Sequence, residues 1–208
     1  FHVTGVQTCA LPISGLYVVL TPIIAYFFLK KKISKWDWIS AILATIGLGL
    51  LSFKGFGIGL GEFLVFISAI LFAIHILALS EWASDLDVYA LATFQLGTCA
   101  LITFAASQIS GFKAPPDSGV WKAILFTAVF ATAFAFIVQT WAQSFMPATT
   151  VAVILTLESV FAAAFGLIFL SEALTFKIAF GGLLVLVAMY LIIYFESKNA
   201  LPEVSYHD

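Results

Sequence analysis

The sequence predicts an all-α membrane protein in which seven helices cross the bilayer. Hydrophobic residues make up 62% of the chain and charged residues 10%. Soluble domains are about half apolar and about one-quarter charged, so this chain lacks the polar surface to cover itself in water. The apolar residues also fall into runs close to the roughly 17–25 residues that span a hydrocarbon core. Lipid offers no partner to an open backbone group, so each run is read as a helix. Finally, segment 28–51 lines up without a gap on the segment 141 positions later, sharing shape more than identity, and an internal repeat of this kind decides architecture.

The first run, 15–29, contains Pro22, and the second, 37–53, contains Gly47 and Gly49. The third, 63–80, carries His75, and the fourth, 88–109, carries Gln95 and Cys99. The fifth, 120–142, leads to a polar end with Gln139, Thr140, Trp141 and Gln143. The sixth, 148–170, holds Glu158 ten residues in, and the last, 178–195, opens on Gly181 and Gly182. Small residues at such spacing, like Ala162 and Gly166, suit close helix contact. Glu62, Glu81, Asp85, Asp87 and Glu172 stand where runs begin or end, as caps or solvated charges. Pro115, Pro116 and Asp117 mark an exposed turn. The tail 196–208 is polar and aperiodic and is expected to be a disordered cytoplasmic extension.

Residues 1–14 are read as foreign. Val3 to Ile13 matches the translation of a sequencing-library adapter, and no initiator Met precedes it. It lacks the basic start and apolar centre of a signal peptide, so it is set aside. Native sequence is expected to begin near Ser14, with the gene cut upstream.

All nine basic residues are lysines, and Lys30, Lys31, Lys32 and Lys35 share one loop. The positive-inside rule places that loop in the cytoplasm. The breaks at 54–62, 110–119 and 171–177 then face outward, and those at 81–87 and 143–147 face inward with the tail. The counterpart of the first run is the sixth, five helices further along the chain. An odd number means that the copies lie upside down, an inverted repeat. The matching loops agree in charge: Lys30 to Asp37 carries +3, whereas Ser171 to Ile178 sums to zero. A five-helix unit implies that the first copy has lost three helices upstream.

From Gly15 to about Glu196 the chain resembles the EamA-type transporters of the drug/metabolite transporter superfamily. Three stretches carry the resemblance: Gly15 to Pro22, Ala131 to Phe136 continuing to Gln139–Gln143, and Leu157-Glu158 followed by Leu170-Ser171-Glu172. Ser159 and Ser171 stand where the family often has Pro and Gly. The resemblance implies a ten-helix transporter of two inverted five-helix repeats (5+5), of which seven helices remain here. Residues 15–54 would be the last two helices of the first repeat, and 55–195 a linker and the complete second repeat. It further implies a multi-pass secondary transporter of the prokaryotic cytoplasmic membrane. Such a permease moves a small metabolite, amino-acid-like or drug-like, with a proton as the coupling candidate, by alternating access.

The residues themselves point the same way. An ionisable side chain at mid-bilayer costs about 2.5–3.5 kcal/mol on insertion scales, and such residues usually serve a pathway. Glu158 is read either as a proton- or substrate-coupling carboxylate or as a packing residue bonded to a neighbouring hydroxyl or amide. His75 suits a proton relay, or a neutral core role, its i±4 neighbours Leu71 and Leu79 being apolar. Gln139 and Gln143 share one helical face; with Thr132, Thr140 and Trp141 they line a cavity or glue helices, and Gln95 is similar. Alternating-access sites lie near the midplane at a repeat interface, which favours the lining role.

Other classes find less support. A seven-helix receptor matches the count of runs but explains no repeat. An intramembrane enzyme needs paired catalytic groups, yet Asp85 and Asp87 sit at a loop, so no catalytic residue and no enzyme activity are expected. Two cysteines, Cys9 and Cys99, supply neither a disulfide nor a metal cluster. Gly55, Gly57, Gly59 and Gly61 complete no nucleotide-binding pattern. A net charge of −2 without arginine offers no surface to nucleic acid. No metal and no cofactor is expected.

Overall fold

Helices account for nearly all of the structure, a computed structural model that describes residues 15–52, 60–111, 117–169 and 174–200. The adapter-like start, Gly55, Gly57 and Gly59, the Pro115–Pro116 turn, Glu172 and the end of the tail lie outside the described residues, as does the side chain of Glu62. Seven helical rods occur among the described residues, one for each apolar run. They are α1 (Tyr17–Phe27), α2 (Lys35–Ser52), α3 (Leu60–Trp82), α4 (Val88–Ser110), α5 (Ser118–Gln143), α6 (Ala148–Phe169) and α7 (Phe176–Ala200).

Five of them, α3 to α7, are long and apolar enough to cross a membrane. α1 is helical for only 11 residues, short of the about 20 that a full crossing needs. α2 has 18 residues, but Lys35 and Asp37 make its first turn polar. The sequence boundaries therefore need correction at α1, which starts later and ends earlier than 15–29. At the other end α7 continues past 195 to Ala200, so the first residues assigned to a disordered tail are helical. Glu196 accepts a hydrogen bond from the Thr150 hydroxyl at 3.1 Å and Ser197 Oγ donates to the Tyr194 carbonyl, and these contacts hold the added turn.

The helix ends follow local chemistry. Ser34 starts α2 with a capping box: its hydroxyl accepts from Trp36 N–H, and Asp37 accepts from Ser34 N–H at 3.0 Å. Thr175, 141 positions on, caps α7 by accepting from Ile178 N–H. Asp87 caps α4 through Ala90 N–H at 2.7 Å, and Asp117 caps α5 through Gly119 and Val120. α1 closes on Lys30, whose φ of 50° lets Lys31 N–H reach back to the Ala25 carbonyl.

Two rods are not uniform. α5 widens into a π-helix over Thr127–Phe134 between two α-helical halves. α6 breaks at Thr156 into Ala148–Leu155 and Leu157–Phe169. There the Thr156 hydroxyl donates to the Val153 carbonyl at 2.6 Å and Ser159 N–H to the Thr156 carbonyl. The tightened turn comes two residues before Glu158.

The described residues form two compact units. One holds α1, α2, α6, α7 and α3 as far as Ala78; the other is Leu79–Met146. In the first unit α2 and α7 form the most extensive pairing. Trp36, at the start of α2, stacks on Phe195 near the end of α7, with ring centroids 3.7 Å apart. Gly47, near the end of α2, meets Gly181 near the start of α7. The two helices therefore run antiparallel, and their first residues are 141 positions apart, the spacing of the sequence repeat. Ala41, Ala44, Leu48, Val185, Ala188 and Ile192 fill the seam, joined by Val18 and Val153. A second cluster joins Ala25 of α1 to Ala148 and Ala152 of α6 and to Ile76 and Leu77 of α3.

The second unit pairs α4 with the last half of α5. Its outer surface carries exposed Phe94, Leu101, Phe126 and Phe134. In water such a surface would be a liability; it is what a lipid-facing helix presents.

Candidate functional site

A cavity of about 200 Å³ opens inside the first unit. Its walls come from four helices: Gly15 and Tyr17 at the start of α1, Leu48 of α2, Ser68, Ala69 and Phe72 of α3, and Leu155, Thr156, Glu158 and Ser159 of α6. The break in α6 builds one wall. Ending the first half-helix at Leu155 turns Thr156, Glu158 and Ser159 into the same space. Discontinuous helices of this kind form binding sites at membrane depth, where irregular backbone is tolerated only against protein or a cavity.

Glu158 stands in the first turn of the half-helix Leu157–Phe169 and is exposed. The partial positive charge of that helix end suits a carboxylate. Among the described residues it is the one carboxylate or cation in the lining. Tyr17, Ser68, Thr156 and Ser159 are hydroxyl-bearing residues of the same lining, and Phe72 packs edge-on against Tyr17 with centroids 4.9 Å apart.

The six residues singled out in the sequence are divided between the two units. Glu158 lines the cavity, and His75 lies one turn along α3 from Phe72, half-buried and stacked against that ring at 6.0 Å. His75 is not among the cavity residues. Gln95, Gln139, Gln143 and Trp141 belong to the other unit. There Gln139 Nε2 donates to Gln143 Oε1 at 3.1 Å, and Gln143 Nε2 donates to Ser80 Oγ at 3.1 Å. Gln95 Nε2 donates to the Leu91 carbonyl and to Thr140 Oγ1, while its Oε1 is buried without a partner. Trp141 does not share the glutamine face. It is 57% exposed and packs edge-on against Phe145, because a residue two positions from Gln139 and Gln143 points to the opposite side of a helix. Thr132 is exposed in the π segment.

Tyr17, Ser68, Phe72, Thr156 and Ser159 are cavity residues that polarity alone passes over. One signal finds Tyr17: it stands 141 positions before Glu158, and Gly15 stands in the same relation to Thr156. Four of the lining residues thus pair at the 141-residue spacing.

A model of the EamA-like transporter family matches residues 59–194. The chain belongs to the EamA-like transporter family. Two relatives of the chain come from Archaeoglobus fulgidus, each named an uncharacterized transporter. One is 33% identical over 181 residues, which are 86% of this chain and 58% of the relative. The other is 28% identical over 156 residues, 73% of this chain and 53% of the relative. The chain thus spans little more than half the length of these relatives. A crystal structure superimposes with a TM-score of 0.79 over 93% of this chain and 69% of its own, at 15% identity, and shares the fold. With its apolar helices, this EamA-family chain is a multi-pass protein of the cell membrane. Glu158 falls within the family match, and Tyr17 precedes it.

Proposed function

We propose that this chain is part of a secondary transporter that carries small metabolites across the cell membrane by alternating access between inverted repeats. One observation carries the reading: the cavity is bounded by the broken helix α6 and by α1, with Tyr17 and Glu158 facing it at the 141-residue spacing of the repeat. Transporters of inverted-repeat design bind at the interface of the repeats, through discontinuous helices near the midplane. The antiparallel pairing of α2 with α7 supports the same reading. So does the gathering at one end of the unit of Lys35, Thr150 and Glu196, all assigned to the cytoplasmic side by lysine distribution. Glu158 is the coupling and binding carboxylate of this scheme, and the chain's role is transport rather than catalysis.

The test uses the chain with Cys9 and Cys99 replaced by Ala and a single cysteine at Ser68. In oriented membranes a charged, impermeant maleimide is applied from each face. Alternating access expects labelling from both faces, with solute shifting the ratio. Labelling from one face alone, under every condition, would refute alternation.

A further inference from the structure

The charge of the cavity names a class of solute. We propose that it takes a small organic cation, a protonated amine or quaternary ammonium, an inference that rests on the transport reading of the same cavity. Among the described residues Glu158 is the one carboxylate in the lining, and none of those lining residues is a lysine or histidine. Lys30 to Lys35 lie at or beyond the far end of α1 from Tyr17, and Lys177, in the first turn of α7, is not a lining residue. A solute anion would therefore meet a like charge and find only hydroxyls to pair with.

The end of the half-helix at Leu157 pulls the other way, since a helix start carries roughly half a positive charge. The carboxyl group of Glu158 in that same first turn is the acidic partner that a bound ammonium would meet, and it answers the partial charge of the helix end. Tyr17 and Phe72 add two aromatic rings in one wall, and aromatic faces attract ammonium groups most where water is excluded. Oxygens of Ser68, Thr156 and Ser159 can accept the N–H groups of a primary amine. A volume of about 200 Å³ suits a solute of metabolite size rather than a lipid-sized drug.

Three solutes of matched shape test the class: choline, its neutral carbon analogue 3,3-dimethyl-1-butanol, and the anion 3,3-dimethylbutyrate. Binding of each to the 208-residue chain is measured by calorimetry in phosphatidylglycerol nanodiscs. Choline is expected to bind at least about tenfold more tightly than the alcohol, to lose that advantage in Glu158→Gln, and to keep it in Glu158→Asp. Repeating the titration in phosphatidylcholine distinguishes sources: undiminished binding assigns the site to a free solute, and competition assigns it to a lipid headgroup. Equal or tighter binding of the anion, or choline binding that survives Glu158→Gln in a variant still monodisperse on size exclusion, overturns the cation class. Labelling at Ser68 is read without solute. A chain that alternates but prefers the anion therefore fails on charge alone, whereas one labelled from a single face fails as a transporter.

Discussion

Gly47 and Gly181 bring the backbones of α2 and α7 into direct contact. A Cβ on Gly47 would stand 2.7 Å from the Gly181 carbonyl oxygen, and one on Gly181 would stand 2.8 Å from that of Gly47. In lipid there is no hydrophobic drive between helices, so close packing of this kind supplies the association. The obstacles are backbone atoms, which no rotamer change can move. Gly47→Val or Gly181→Val is expected to destabilise the chain by about 1–3 kcal/mol, the range for overpacking. Gly182→Ala is the control, because its new methyl would meet only Val160 Cγ1 at 4.0 Å. Thermal unfolding in detergent should separate the two sites clearly; a Gly47 variant as stable as Gly182→Ala would contradict the packing.

The other end of the same seam is held by side chains. Trp36 stacks flat on Phe195, with an interplanar angle of 6°, and the next residue, Glu196, accepts from Thr150. An aromatic pair adds about 0.5–1.5 kcal/mol beyond its buried area. Trp36→Ala and Thr150→Val are both expected to fray the last turns of α7. Amide hydrogen exchange over 195–200 should rise in each. Because the two contacts share adjacent residues, the double variant should lose less than the sum.

Ser40 lies in the second turn of α2 and is wholly buried, with no hydrogen-bond partner for its hydroxyl among the described residues. Thr45, one turn on, avoids this by donating to the Ala41 carbonyl at 2.8 Å. A buried donor left unmade costs about 1–3 kcal/mol. Ser40→Ala is therefore expected to stabilise the chain, by about 1 kcal/mol once the lost packing of one atom is set against it. A fall in unfolding temperature would show that the hydroxyl has a role in the assembled protein.

Apolar patterning reaches the number of rods, their order and most of their ends, because run length and capping residues are local properties. The same reading of the chain finds Glu158 and the register linking residues 28–51 to 169–192. The π segment of α5 and the break at Thr156 escape it. Neither has a proline or glycine to announce it; Thr156 bends the chain through its own hydroxyl, an interaction that composition does not encode. Polarity also singles out Gln95, Gln139, Gln143 and Trp141, and within their unit burial and hydrogen bonding set the glutamines apart from the exposed Trp141. Tyr17 was passed over as an aromatic residue in an apolar run, and only its spacing from Glu158 marks it.

The glutamines supply the sharpest separation of packing from solute binding. Gln143 is 2% exposed and uses both ends of its amide, accepting from Gln139 and donating to Ser80. Gln139 stands at the edge of that chain with one bond to it, and Gln95 makes its stronger bond within its own helix, to Leu91 at 3.2 Å. Interhelical hydrogen bonds in membranes average about 0.6 kcal/mol. If the glutamines hold helices together, stability should fall most for Gln143→Leu, by about 1 kcal/mol or more because Ser80 and Gln139 both lose a partner. Gln139→Leu should cost less, and Gln95→Leu should be close to neutral, since its buried Oε1 is already without a donor. All three should leave solute binding at Glu158 intact. Denaturation in detergent gives the order, and the calorimetry used for choline gives the second readout. If instead Gln95→Leu abolished binding while stability held, the unpartnered oxygen would be a solute contact and the second unit would carry part of the site.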